Sequence, residues 1–221
     1  MKTLRSVIEN RFSCRKFKPQ VVPKSTLSSI FELAQKTPSW CNSQAWQVAM
    51  LSGATLLDFK ADLHKLAQDE TRANPDFKFP ERYDGIYKDR RKVCGLQLYR
   101  SLGIDKGQTE EARQQMLENF YCFGAPHLAI ISSAKSLGVY GAIDCGLFIN
   151  TLLLVAGNFG VDSIAQASIA SYPDFIRSRL DLGKDRNIIC GVALGYQDSE
   201  NPINNYRTTR ADITDVVNWI G

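Results

Sequence analysis

Gly141-Ala-Ile-Asp-Cys-Gly-Leu-Phe-Ile-Asn-Thr-Leu-Leu-Leu-Val-Ala-Gly157 is apolar nearly all the way round a helix, with Leu147, Ile149, Leu152, Leu153, Leu154 and Val155 covering every face. A helix of that kind has no side suited to water. It needs a large monomer core or a subunit interface to cover it, and a chain of 221 residues favours the interface, so a homodimer is expected. Upstream, Pro126 opens His127-Leu-Ala-Ile-Ile131, a buried strand by its length and β-branching. Further out, Leu27, Ile30, Phe31 and Ala34 recur at helical spacing within residues 23–36, Trp46-Gln-Val-Ala-Met-Leu51 is rich in strand formers, and a helix follows at 53–69. Helical patterns at 89–102 and 109–120, a short helix at 173–181 and the strand Asn187-Ile-Ile-Cys-Gly-Val-Ala-Leu194 complete the expected elements. Residues 70–90, interrupted by Pro75 and Pro80, read as a surface excursion rather than a linker, so one domain over 1–221 is expected. The end of the chain, Ile213 to Ile220, is only weakly apolar and is expected to lie across another surface, the partner subunit's being the candidate.

The net charge is +4, with 27 Lys and Arg dispersed among 23 Asp and Glu, which argues against nucleic acid as the main partner. A mildly basic chain can still hold a small anion locally. Six cysteines lack any C-x-x-C spacing and read as reduced thiols, with Cys14 and Cys41 as packing residues, in a cytoplasmic protein. The first residues carry charge throughout, so no signal peptide is expected, and no run of about 18 consecutive apolar residues suggests a membrane span. His64 and His127 stand apart from each other and from any cysteine pair, so no metal site is expected. G-x-G-x-x-G, G-x-x-x-x-G-K-[ST] and G-x-S-x-G are all missing. Acid, base and nucleophile chemistry is therefore poorly supplied, and a bound redox cofactor would provide the reactivity instead.

Arg11, Ser13 and Arg15 alternate at period two, so an extended backbone would present two guanidiniums and a hydroxyl on one side. Paired guanidinium donors suit phosphate oxygens. The same pattern would also suit a charged edge strand that discourages aggregation.

In company the segment is more specific. Arg-x-Ser-x-Arg-x-Phe at 11–17, followed by Pro38-Ser-Trp-Cys-Asn-Ser-Gln-Ala-Trp46, resembles the nitroreductase family, whose members carry a Pro-Ser-x-x-Asn-x-Gln-Pro-Trp turn at this distance. Phe123-Gly-Ala-Pro126, Ile143-Asp-Cys-Gly146, Ala165-Gln-Ala167 with Tyr172-Pro173, and Gly195-Tyr196 with Tyr206-Arg-Thr-Thr-Arg210 continue the resemblance in order, with the weakest coverage at 65–115. Ala45 stands where the family's proline usually follows Gln44.

The resemblance implies an α+β fold: a mixed, mainly antiparallel sheet flanked by helices, in two intertwined chains with an FMN in each interface cleft. Arg11, Phe12, Ser13 and Arg15 match residues that hold FMN, with Arg15 toward the N1 and O2 edge of the ring and Arg11 toward the phosphate. Arg210 matches an arginine that completes the phosphate clamp, and Arg207 is a second candidate member. Pro38, Ser39, Trp40 and Asn42 match the turn that reaches the flavin from the neighbouring subunit; Gln166, Ala167 and Ser168 match the loop along the N5 and O4 side. Ser39 and Asn42 would equally cap a strand-entry turn, Trp40 and Trp46 would serve as core aromatics, and Asp144 suits a helix N-terminus or a local pair better than catalysis. No proton donor is singled out, so no catalytic residue is named. The implied activity is ping-pong transfer from NADH or NADPH to a nitroaromatic, quinone or other small conjugated acceptor. The alternatives are reductive dehalogenation or flavin destruction on the same fold, and a flavin- or anion-binding dimer without turnover.

Overall fold

A computed structural model describes residues 2–221. Its centre is the strand β2 (His127–Ala134), flanked by β1 (Trp46–Ser52) and β4 (Arg186–Gly195), with β3 (Asp162–Gln166) beyond β4. All three pairings are antiparallel, and the order is β1-β2-β4-β3. Leu128 and Ile130 belong to one core and Ala129 and Ile131 to the other, so both faces of β2 are covered. That double burial is why the segment reads as a continuous apolar run rather than an alternating one.

Helices close both faces. On one side lie α2 (Lys24–Ala34) and α6 (Gly138–Asn158), which bring Leu27, Ile30, Phe148 and Leu152 onto the sheet. Trp46 joins this core, stacked on Phe148 at 4.9 Å, with its indole N–H donating to Gln35 Oε1 at 2.8 Å. The other side is built by α3 (Gly53–Gln68), α5 (Thr109–Leu117) and α7 (Pro173–Arg179) around Phe59, Leu63, Leu117, Phe123 and Ile176. A first helix, α1 (Leu4–Asn10), is capped by Thr3, which accepts from the Ser6 N–H.

The expected elements are all present, with shifted ends. α4 (Gly85–Ser101) begins four residues before the expected 89, so the excursion shrinks to 70–84. That excursion is tied down by Asp76, which accepts from Arg177 at 2.7 Å and from the Ile188 N–H at 2.8 Å. β3 was not anticipated: it has five residues, opens on Asp162 and Ser163, and lacks the length and alternation that mark a strand. Cys41, expected to pack, is exposed at the tip of a tight turn with φ +50°. All six cysteines are free thiols, and burial pushes that of Cys122 up to about 12.

The expectation for the apolar helix was coverage on every side, and within one chain it receives coverage on one. α6 buries Asp144, Cys145, Phe148, Leu152 and Ala156, while Val139, Tyr140, Ile143 and Leu147 form an exposed stripe, with Ile143 and Leu147 about half accessible. By length and composition the Lys135–Asn158 segment could also cross a membrane. Its buried Asp144 and its packing on the sheet are those of a core helix. Residues 205–221 contain no buried side chain, and Trp219 and Ile220 are 83% and 91% accessible.

His127 fixes the loop that leads into α2. Its Nε2 accepts from the Val22 N–H at 3.0 Å, which places the ring proton on Nδ1, 2.6 Å from the Ser52 hydroxyl. Burial lowers the ring's pKa below its ordinary value of about 6.5. Protonation would set two donors face to face. The stabilisation is therefore full above about pH 6.5 and is lost as pH falls through the lowered folded value. Thermal melts between pH 7.5 and 5 should show this loss, and His127→Gln should flatten it; an unchanged pH slope in the variant would contradict the assignment.

Candidate active site

The chain after α1 runs extended from Arg11 and is stapled to the rest of the fold by backbone hydrogen bonds. Cys14 N–H donates to Ser163 O, Phe17 N–H to Phe123 O and Lys18 N–H to Tyr196 O. The last staple needs Gly195, where an added Cβ would stand 2.7 Å from Pro126 and 2.9 Å from Phe17. Asn204 supplies the decisive lock: its Oδ1 accepts from the Arg15 N–H at 2.8 Å, and its amide donates to Lys16 O and Asp198 O. The N-terminal segment and the segment 204–210 are thereby held side by side.

Between them opens a cavity of about 810 Å³ lined by Arg11, Phe12, Ser13 and Arg15 from the first segment and by Tyr206, Arg207 and Arg210 from the second. Asn150 and Leu154 of α6 and Cys94 of α4 also reach it. The period-two expectation holds for Arg11, Ser13 and Arg15, and Phe12 reaches the same cavity. Among the described residues, the ion pairs involve none of the four arginines here. Burial first, and the like charge of Arg210 second, push the Arg11 guanidinium below its ordinary pKa. Glu9 also lines the cavity but pairs with Arg5, and two close cations without an ion-paired carboxylate are a site prepared for an anion.

The other expected residues do not line this cavity. Pro38, Ser39, Trp40 and Asn42 form a turn at the start of α6, where Trp40 meets Tyr140 edge-on at 4.0 Å. Asp144 holds that turn by accepting from the Trp40 N–H and the Ser43 hydroxyl, so it pairs across the fold rather than locally. Ser39 Oγ accepts from the Gln44 N–H at 2.9 Å, the turn-capping role. Cys41, Asn42 and Gln44 all take positive φ. Three such non-glycine residues in one turn cost a few kcal/mol in all, at about 1–3 kcal/mol each, and strain of this kind gathers at functional sites.

Gln166, Ala167 and Ser168 lie at the end of β3, also away from the cavity. Gln166 is buried; its amide donates to Asn119 O at 2.9 Å, and its Oε1 has no partner. Ser168 donates to Asn119 Oδ1. Ala167 is exposed. The sequence reading missed Asn204, a lone amide in a polar stretch with no periodic signal. It also left Tyr206 unassigned, although the residue sits inside a quoted motif. No histidine lines the cavity among the described residues.

The donor set fits FMN: adjacent unneutralised arginines suit a phosphate, and the volume is within the usual range of about 300–1,000 Å³ for a ligand of this size. The comparisons agree with the geometry. A 32% identical relative, Nitroreductase NfnB of Mycolicibacterium smegmatis, aligns with 96% of this chain and 91% of its own length. A 4-nitrobenzoate reductase of Nocardioides sp. is 30% identical over 94% of this chain and 86% of its own. Among solved structures, NfnB from Mycobacterium smegmatis in complex with NADPH superposes with a TM-score of 0.93 at 30% identity, covering 98% of this chain and 97% of that one. The FMN- and NADPH-dependent NfnB from Sphigopyxis sp. strain HMH gives a TM-score of 0.95 at 28% identity, with both chains covered in full. The Nitroreductase family model matches residues 8–196, a span that holds Arg11, Phe12, Ser13 and Arg15 of the cavity, and the chain belongs to the nitroreductase family.

Proposed function

We infer that this chain is an FMN-dependent oxidoreductase that takes electrons from NADPH and passes them, in a ping-pong cycle, to nitroaromatic, quinone or related conjugated acceptors. The observation that carries this is the set of four arginines lining one cavity without a carboxylate partner. Bound FMN supplies the two-electron relay between donor and acceptor. Arg11 and Arg210 would hold its phosphate, with Arg207 beside them; Ser13 would offer a hydroxyl to the sugar chain, and Arg15 would stabilise negative charge on the ring.

The expected contacts of the Pro38-to-Asn42 turn come from a second copy of the chain. Trp40 sits against Tyr140, and the cavity reaches Leu154, fourteen residues farther along α6 and so about 21 Å away at 1.5 Å per residue. The exposed stripe Tyr140, Ile143, Leu147 runs directly toward Asn150 and Leu154. A two-fold axis near Leu147 would set Tyr140 of one helix opposite Leu154 of the other. It would bring the strained 38–44 turn of each protomer to the cavity of its partner and cover the stripe. The uncovered tail, with Ile213, Val216, Trp219 and Ile220 exposed, gives the dimer further apolar surface to bury. Six free thiols support a cytoplasmic location.

Titrating purified protein with FMN tests the reading. One FMN per chain, with a visible flavin band that survives desalting, is expected. No uptake would refute it.

A further inference from the structure

Outside the cavity, Arg5, Arg82, Arg113, Arg177 and Arg179 are held by carboxylates. Arg177, for example, pairs with Asp76 and Asp174, both at 2.7 Å. Inside it, the hydrogen-bond partners of Arg15, Arg207 and Arg210 are neutral. Arg15 donates to Ser13 O, Arg207 to the carbonyls of Asn204 and Tyr206, and Arg210 to Thr208 and Thr209. Two of these cations also lie over aromatic rings. The Arg207 guanidinium sits 3.9 Å from the centre of the Phe12 ring, and that of Arg15 lies 5.7 Å from the centre of the Tyr206 ring. The arrangement is reciprocal: the N-terminal segment lends a ring to an arginine of the C-terminal segment, and the C-terminal segment lends one back.

We propose that Phe12 and Tyr206 are positioning residues, aromatic platforms that hold Arg207 and Arg15 in place for the anionic cofactor while leaving their charge unneutralised. The inference rests on the FMN reading above and assigns these two rings a role that reading does not. A ring face attracts a guanidinium through its quadrupole and cancels none of its net charge. A carboxylate in the same place would hold the arginine as well and would spoil the site for phosphate. The Tyr206 hydroxyl is buried and has no partner within the chain.

Full-length variants Phe12→Leu, Tyr206→Leu and Tyr206→Phe should be titrated with FMN, and the midpoint potential of the bound flavin measured. Both leucine variants are expected to weaken FMN binding about three- to tenfold, the range a cation–π contact supports. Tyr206→Leu should also shift the potential to more negative values, because a loosened Arg15 stabilises the reduced ring less. Tyr206→Phe should restore wild-type affinity and potential, since losing an unpartnered buried hydroxyl is close to neutral. Ring-fluorinated phenylalanine at 206 keeps the shape while depleting the ring face, and should move both readouts as Tyr206→Leu does even if the leucine variant folds poorly. Wild-type values in the leucine and fluorinated variants, or a Tyr206→Phe variant as impaired as Tyr206→Leu, would overturn the proposal. Wild-type protein that binds no FMN would overturn the underlying reading as well, which separates the two failures.

Discussion

Replacing Arg11 and Arg210 together by alanine is expected to leave a folded protein that no longer retains FMN. Each guanidinium faces the cavity without a carboxylate partner, and each is expected to contribute about 1.5–3 kcal/mol to holding a charged group. Because the two act on one phosphate their effects will not simply add, but a combined loss of about 3 kcal/mol already weakens binding more than a hundredfold. Neither residue belongs to a hydrophobic core, so the FMN-free melting temperature should hold or rise as two repelling cations are removed. Titration of the double variant beside wild type decides the matter. Near wild-type affinity would show that the phosphate lies elsewhere.

The second large effect is expected from Leu147→Glu. Leu147 lies outside both cores and at the middle of the exposed α6 stripe, 47% accessible in the single chain. If a two-fold axis passes nearby, the substitution places two carboxylates against each other in an apolar interface, and an uncompensated buried charge costs several kcal/mol. The variant should run as a monomer in light scattering with an unchanged far-ultraviolet spectrum. It should also lose FMN, because the 38–44 turn would no longer reach the partner's cavity. A variant that stays dimeric and loaded would place the interface on another face.

The sequence disclosed some of this and hid the rest for physical reasons. β2 and β4 were legible because burial on both faces leaves an unbroken apolar run. α6 was legible as a helix too apolar to stand alone, and the chain covers only one of its faces. β3 was hidden because it is short and opens on polar residues. The alternation of Arg11, Ser13 and Arg15 did predict a shared face, but nothing local distinguished an anion site from a charged edge. What distinguishes them is the distant Arg210 and the lack of a carboxylate ion-paired with these arginines among the described residues, both products of the tertiary fold. Asn204, which joins the two halves of the cavity, carries no signal of its own, since one amide in a polar stretch looks like any other.

The 38–44 turn and the Gln166 loop show the same limit at the next level. Their motifs were readable, but one chain sets both apart from the arginines, with the turn about 20 Å away by helix rise. In the proposed dimer the turn would meet the partner's cavity, and such a contact would leave no trace in the spacing of one sequence.

We propose that this chain moves electrons from NADPH through a flavin held by those arginines. Anaerobic stopped-flow mixing of the FMN-loaded protein with NADPH tests it most directly. The flavin absorbance near 450 nm should bleach within a catalytic time and return when a nitroaromatic is added. Flavin that stays oxidised through many minutes of NADPH would mark a passive binder and contradict the account.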